Sequence, residues 1–216
     1  YLREFDTTYN LREPKDVNRF IVNRSTFAAI TCTQERDIQT YFHCLRETDQ
    51  IDDITLANYR AAVDKRQMKE WVRSQVPELV PTVRVVTEEN VTDTSTLTYP
   101  VVLKPTGLAG SALVKVVHNY EELTRHYSDH RLLAHSLAET NYNRTVELIA
   151  EEFISGPQFS VNTYINKNGI VTLCPIVRVI PAFEYGRSDT YSALQYVTNE
   201  LDDAEYHRLT SAIQTL

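Results

Sequence analysis

The chain has 216 residues, of which 42% are hydrophobic and 24% charged, enough for one or two globular domains with a substantial core. Its net charge of −7 argues against a dedicated nucleic-acid binder, because affinity for a phosphate backbone rests on clustered Lys and Arg, yet it leaves room for a local basic pocket. Cys32, Cys44 and Cys174 lack the spacing of a zinc site and point to a reducing, cytoplasmic setting, and no apolar run approaches the roughly 20 residues of a membrane span.

In chain order, "RFIVNR" (19–24) and "FAAITC" (27–32) each predict a short buried strand. "DIQTYFHCLRET" (37–48) predicts a helix with Ile38, Tyr41, Phe42 and Leu45 on one stripe. Together they read as a strand–helix remnant of a Rossmann-like unit. "DKRQMKEWVRSQV" (64–76) predicts a second helix, capped by Asp64, with Met68, Trp71, Val72 and Val76 on one face. "TVRVV" (82–86) is a predicted strand, followed by the polar loop "ENVTDTSTLT". "YPVVLK" (99–104) is an apolar strand with Pro100 at its start, where a missing N–H does least harm. "SALVKVV" (111–117) returns as a strand. Asn119 and Glu122 then form a capping box for a helix carrying Tyr120, Leu123 and Tyr127. "VELIAEEFI" (146–154) is a strand, and "FSVNTYI" and "IVTLCPIVRVI" form a hairpin around "NKNG". The last segment, "DDAEYHRLTSAIQTL" (202–216), predicts an amphipathic helix capped by Asp202 and Glu205, with Tyr206, Leu209, Ile213 and Leu216 inward. Strands in the middle, interrupted and closed by helices, make the class α+β.

The chemistry concentrates in "KPTGLAGSALVKVV", from Lys104 to Val117. Gly107 and Gly110 are two of only 5 glycines in the chain. Glycines let backbone approach a ligand, bare N–H groups suit an anion, Ser111 adds a donor and Lys104 adds a point charge. The same letters also spell an ordinary tight hairpin beside a solvated lysine. The loop is neither a Walker motif nor a dinucleotide GxGxxG.

Four ordered segments resemble the ATP-grasp superfamily: "DKRQMKEW", "YPVVLKPTGLAGSALVKVV", "AEEFISGPQFSVNTYI" and "GIVTLCPIVRVIP". The resemblance covers the chain from about Asp64 onward. It implies a small lid sheet plus a larger antiparallel sheet with helices, preceded by a partial Rossmann-like segment. The implied division is 1–60 for that segment, 61–154 for the N-terminal part of the grasp including the lid, and 155–216 for the start of its C-terminal part.

By the same resemblance, Lys65 and Lys104 contact nucleotide phosphates, and Gly107, Gly110 and Ser111 belong to a flap that is mobile without nucleotide. Glu151, Glu152, Phe153 and Ile154 line the adenine, the backbone of the last three reading the purine edge. Gln158 meets the ribose where many members carry a glutamate. ATP and Mg2+ are the implied cofactors. The implied partners are a small-molecule carboxylate and a nucleophile, joined through an acyl phosphate, with a homo-oligomer open. Arg178 and Arg187 are the candidate substrate-binding cations, since Arg suits bidentate carboxylate or phosphate contacts; each could equally be a surface arginine paired with an acid. Members hold magnesium on strands beyond the last helix, so no metal ligand is assigned among Glu184, Asp189, Glu200, Asp202, Asp203 and Glu205. The chain is expected to be a portion of a longer protein with an incomplete catalytic site. Two alternatives stay open: a nucleotide-binding module without turnover, and a domain of the biotin-carboxylase or carbamoyl-phosphate-synthase type, whose flaps carry a longer glycine run. His126 and His130, four apart on a helix, read as solvent-facing.

Overall fold

Helices come first. A computed structural model of the chain describes residues 9–11, 13–26, 31–32, 34, 37–93, 97–108, 110–142, 146–166, 168–187 and 192–215. Helix α1 (Pro14–Val22) opens with a proline in its first turn, where the missing N–H costs nothing. This corrects the strand expected at "RFIVNR": Val17, Phe20 and Ile21 follow helical spacing, and Phe20 packs edge-on against Tyr9 at 5.7 Å. Of "FAAITC", residues 27–30 lie outside the described residues. Helix α2 (Ile38–Glu47) buries Phe42, Cys44 and Leu45, close to the stripe expected. Helix α3 (Asp53–Val63) is capped by Asp52, which accepts from Thr55 N–H at 2.7 Å. Residues 1–60 therefore show helices but no strand among their described residues.

Asp64 ends α3 and caps helix α4 (Lys65–Gln75), accepting from the N–H groups of Arg66 at 3.0 Å and Gln67 at 2.9 Å. The expected inward face of α4 is only partly realised. Met68, Val72 and Val76 are half-buried, but Trp71 is exposed, with no layer of the described residues covering that side. No helix among the described residues is long and apolar enough to cross a membrane.

The first sheet is built from strands β1 (Val83–Val86), β2 (Val101–Pro105), β3 (Lys115–Val117) and, after the next helix, β4 (Leu148–Glu152). Their order is β1-β4-β2-β3, with every neighbouring pair antiparallel. Strand β2 alternates: Val101, Leu103 and Pro105 are buried, while Val102 and Lys104 lie on the more open face. Helix α5 (Tyr120–Tyr142) covers the buried face; Leu103 and Val117 of the sheet and Leu123 of the helix are all 0% exposed. Burial of each such side chain stabilises the fold by about 1.5–3 kcal/mol. The expected cap of α5 forms on one side, Asn119 Oδ1 accepting from Glu122 N–H at 2.9 Å, while the Glu122 carboxylate reaches one residue further back and accepts from His118 N–H at 2.9 Å. The polar loop before β2 contributes Val91 to this core.

"SALVKVV" departs from expectation. Only 115–117 is strand, because Val114 N–H bonds Ser111 O at 3.2 Å and closes a turn. Ser111 and Leu113 both sit at φ +58°, a left-handed backbone uncommon for residues with a side chain.

The second region holds β5 (Gln158–Ser160), β6 (Thr163–Ile165), β7 (Val171–Leu173), β8 (Val177–Pro181) and β9 (Ser192–Val197). Strands β5-β8-β9 form a three-stranded sheet, and β6-β7 pair around "NKNG" as expected. There Gly169 takes φ +76°, and the Asn166 side chain accepts from Asn168 N–H at 2.9 Å. Strand β9 was not anticipated; its Leu194 and Tyr196 are exposed, so no buried alternation marks it. Helix α6 (Asp203–Thr215) has the expected capping box between Asp202 and Glu205. Its expected inward face is only partly covered by the described residues: Tyr206 is exposed, Leu209 and Ile213 are half-buried, and Leu216 lies outside the described residues.

Candidate functional site

The start of α4 is stitched to the end of β2. Lys65 N–H donates to Thr106 O at 2.8 Å, and Lys65 Nζ donates to Leu108 O at 2.9 Å. Thr106 is buried and reaches β4 from its other side: its N–H donates to Glu147 O at 2.9 Å, and its hydroxyl oxygen accepts from Glu147 N–H at 3.2 Å. Arg66 Nε pairs with the Glu147 carboxylate at 3.0 Å. The entry of the Gly-rich loop is thus pinned. Gly107 and Leu108 are buried, and Gly110 is exposed.

The register of β2 against β4 pairs Val102 with Glu151 and Lys104 with Ile149, so Lys104 and Glu151 are diagonal neighbours on one face. Lys104 Nζ pairs with Glu151 Oε1. Lys69, one turn after Lys65 on α4, reaches Glu151 Oε2 at 3.1 Å. The side chains of Glu151, Lys104 and Lys69 are 10%, 16% and 18% exposed. Burial pushes the Lys104 ammonium below its usual range, opposed by the adjacent Glu151 charge. Sequence reasoning missed Lys69, although its i,i+4 spacing from Lys65 puts both lysines on one helix face.

These groups open onto a cavity of about 1170 Å³ between the first sheet and the second. Lys65, Lys104, Gly110, Ser111, Glu151, Glu152, Phe153, Ile154, Gln158 and Arg178 all line it, and so does Lys69. Gly107 and Arg187 do not: the first is tucked behind the loop, and the second is exposed, its N–H donating to Ala182 O at 3.2 Å. Two donors of the expected purine-reading segment are already used, since Glu152 N–H bonds Thr82 O at 2.9 Å and Phe153 N–H bonds Pro100 O at 3.2 Å. Ile154, exposed past the end of β4, and Gly156 at φ +115° carry the chain away from the sheet along the cavity wall.

Arg178 is held by its own surroundings. Its guanidinium donates to Val179 O at 2.7 Å and Gln158 O at 3.0 Å, pairs with Glu200 at 3.6 Å and lies over the Phe159 ring. It is a fixed positive wall of the cavity, and the pairing with an acid that sequence left open is present. His126 and His130 lie outside the cavity. Their rings are 5.5 Å apart; His130 is buried rather than solvent-facing, and its Nδ1 has no hydrogen-bond partner among the described residues. Among the described residues, no three His, Cys, Asp or Glu side chains gather as they would around a metal ion.

Lys69 and Lys104 pair with Glu151, and with Lys65 and Arg178 the cavity is lined by four cations against the carboxylates of Glu151, Glu152 and Glu184, a small cationic surplus; the loop beside it has left-handed backbone at Leu108, Gly110 and Ser111. Such a cavity suits a polyanion. A model of the ATP-grasp domain matches residues 97–215. No curated protein matches the chain. Among solved structures, the chain is similar to L-amino acid ligase from Bacillus licheniformis, at 14% identity and TM-score 0.70 over 96% of this chain and 49% of that one. It is similar to biotin carboxylase from Campylobacter jejuni in a β,γ-ATP complex, at 17% identity and TM-score 0.67 over 100% of this chain and 50% of that one. It is also similar to the biotin carboxylase domain of 2-oxoglutarate carboxylase from Hydrogenobacter thermophilus with MgADP, ADP and bicarbonate, at 18% identity and TM-score 0.66 over 94% of this chain and 46% of that one. The chain spans about half the length of these structures, and at such identities the likeness is one of fold. With the family match running through more than half of its residues, the chain belongs to the ATP-grasp family.

Proposed function

We propose that the chain is the ATP-binding portion of an ATP-dependent ligase that activates a carboxylate as an acyl phosphate for attack by an amine or another nucleophile. The observation carrying this reading is the convergence of Lys65, Lys69 and Lys104 on one cavity between two sheets. Joining a carboxylate to an amine is uphill in water. A carboxylate oxygen attacks the γ-phosphorus of ATP, the bond to the β-phosphate oxygen breaks, and ADP leaves; the nucleophile then takes the acyl group and releases phosphate. Phosphoryl transfer of this kind needs positioning and charge neutralisation more than covalent help from the protein. Lys65 and Lys104 would meet the phosphates, with Gly110 and Ser111 closing over them and Gly107 shaping the loop behind. Glu151 to Ile154 would line the adenine, with the Ile154 N–H as the donor not committed to the sheet. Gln158 would accept or donate to a ribose hydroxyl. Arg178 would present a fixed charge to a carboxylate or to the transferred phosphate; Arg187 would need to swing in from outside the cavity. Residues 1–60 would precede the grasp, 61–154 would carry the lid, and 155–216 would begin the second part.

Magnesium accompanies ADP in the H. thermophilus structure. Among the described residues no three His, Cys, Asp or Glu side chains gather for it, and no step is routed through it.

The test is a calorimetric titration with a non-hydrolysable ATP analogue. Saturable one-site binding is expected, weakened roughly 10- to 100-fold in Lys104→Ala, the loss of one charge-assisted contact. Unchanged affinity in that variant would overturn the reading. Binding of ATP without any ADP formation by the full-length parent protein would favour the non-catalytic alternative.

A further inference from the structure

Glu151 is the most buried acid of the cavity, and each of its oxygens has its own lysine: Lys104 from the neighbouring strand, Lys69 from α4. Its presence among would-be phosphate ligands is awkward. A carboxylate repels an incoming polyphosphate, and when Lys104 turns toward that phosphate, Glu151 loses a counter-ion in a place poorly reached by water. Stripping one partner from a buried pair leaves an uncompensated charge and is strongly unfavourable. The second lysine removes the difficulty. Lys69 stands on a different element from Lys104, anchored by the Asp64 cap at the start of its helix, so it need not move with the strand lysine.

We propose that Lys69 is a positioning residue for the nucleotide: it retains Glu151 through the second carboxylate oxygen, and so frees Lys104 to pass from Glu151 to a phosphate. This rests on the nucleotide reading of the cavity above. Without nucleotide, Glu151 bridges two ammonium groups and holds Lys104 in a single orientation. With nucleotide, the Lys69–Glu151 pair persists, Glu151 stays at the start of the segment that lines the base, and Lys104 is handed on. Lys69 acts through Glu151 and does not itself touch the phosphates.

The experiment is a double-mutant cycle read by calorimetric titration of the intact chain with a non-hydrolysable ATP analogue in excess magnesium. Lys69→Met is expected to weaken binding about tenfold or more, and Lys69→Arg to stay within about threefold of wild type, because a charged partner for Glu151 is kept. In a Glu151→Gln background the carboxylate charge is gone, so adding Lys69→Met should cost little further affinity. A Lys69→Met variant that binds as tightly as wild type overturns the proposal. So does an equal loss in both backgrounds, which would mean that Lys69 contacts the phosphates directly. If Lys69→Met melts below the titration temperature, Lys69→Gln carries the same cycle. Failure of wild type itself to bind the analogue would sink the nucleotide reading instead, and is distinguishable because it precedes every comparison of variants.

Discussion

The two sheets of this chain are built differently. The first has one face sealed by α5 around Leu103, Val117 and Leu123 and the other turned to the cavity, so each of its strands carries a dry side and a chemical side. The second, with β6-β7 and α6, buries little: Val197 is 68% exposed, Tyr164, Ile165 and Ile170 are open, and α6 has no buried residue. Stability should therefore be concentrated in the first region, with the second held mainly by its backbone ladder.

Four measurements can break or sharpen that contrast. Leu103→Ala should lower the free energy of unfolding by about 2–5 kcal/mol, whereas Leu194→Ala on β9 should cost under about 1 kcal/mol; similar urea midpoints for the two would erase the distinction. Next come the helix caps. Asn119→Ala should cost about 1 kcal/mol globally, because α5 is part of the core. Asp202→Ala should instead appear as faster amide exchange confined to α6; a global loss of equal size would show that α6 is integral to folding.

A third measurement uses His130. Burial first, then His126, hold its imidazole below its ordinary value of 6.5; Asp129 pulls the other way, and Lys115 adds the smallest downward push. The folded chain thus binds fewer protons there than the unfolded one, so this contribution is whole above about pH 6.5 and is lost as pH falls through that value toward the lower folded-state one. Wild type should lose more urea resistance between pH 7.5 and pH 5.5 than His130→Gln does, and equal losses would remove His130 as the cause. The smallest effect is expected from Ile165→Ser, within about 0.5 kcal/mol of wild type by thermal melting; a larger loss would reveal packing on the β6-β7 hairpin.

The same contrast explains what was legible. The strands of the first sheet, the Asp64 cap and the Asn119–Glu122 cap could be read from letters because alternation and capping chemistry act locally. "RFIVNR" misled because a short apolar run has no period of its own; the decisive signal was Pro14, five residues earlier. Strand β9 and the inward face assigned to α6 failed for one reason: patterns assume a core, and there the described residues supply almost none. Ser111 to Leu113 were read as strand because no residue preference announces left-handed backbone at serine and leucine. At the site, ten of the twelve residues singled out line one cavity. Arg187 was placed by a loop resemblance that does not fix direction, and Lys69 escaped because its partner Glu151 is 82 positions away in sequence and adjacent only where α4 meets β4 in the fold.

Leu103 and Lys104 are consecutive letters facing opposite sides of one strand. Inserting a single residue ahead of Val101 would exchange them, driving an ammonium into hydrocarbon and an aliphatic side chain into the cleft. Length in this segment is therefore under tighter constraint than composition: conservative swaps along β2 can be absorbed, while an indel there would forfeit folding and ligand recognition at one stroke.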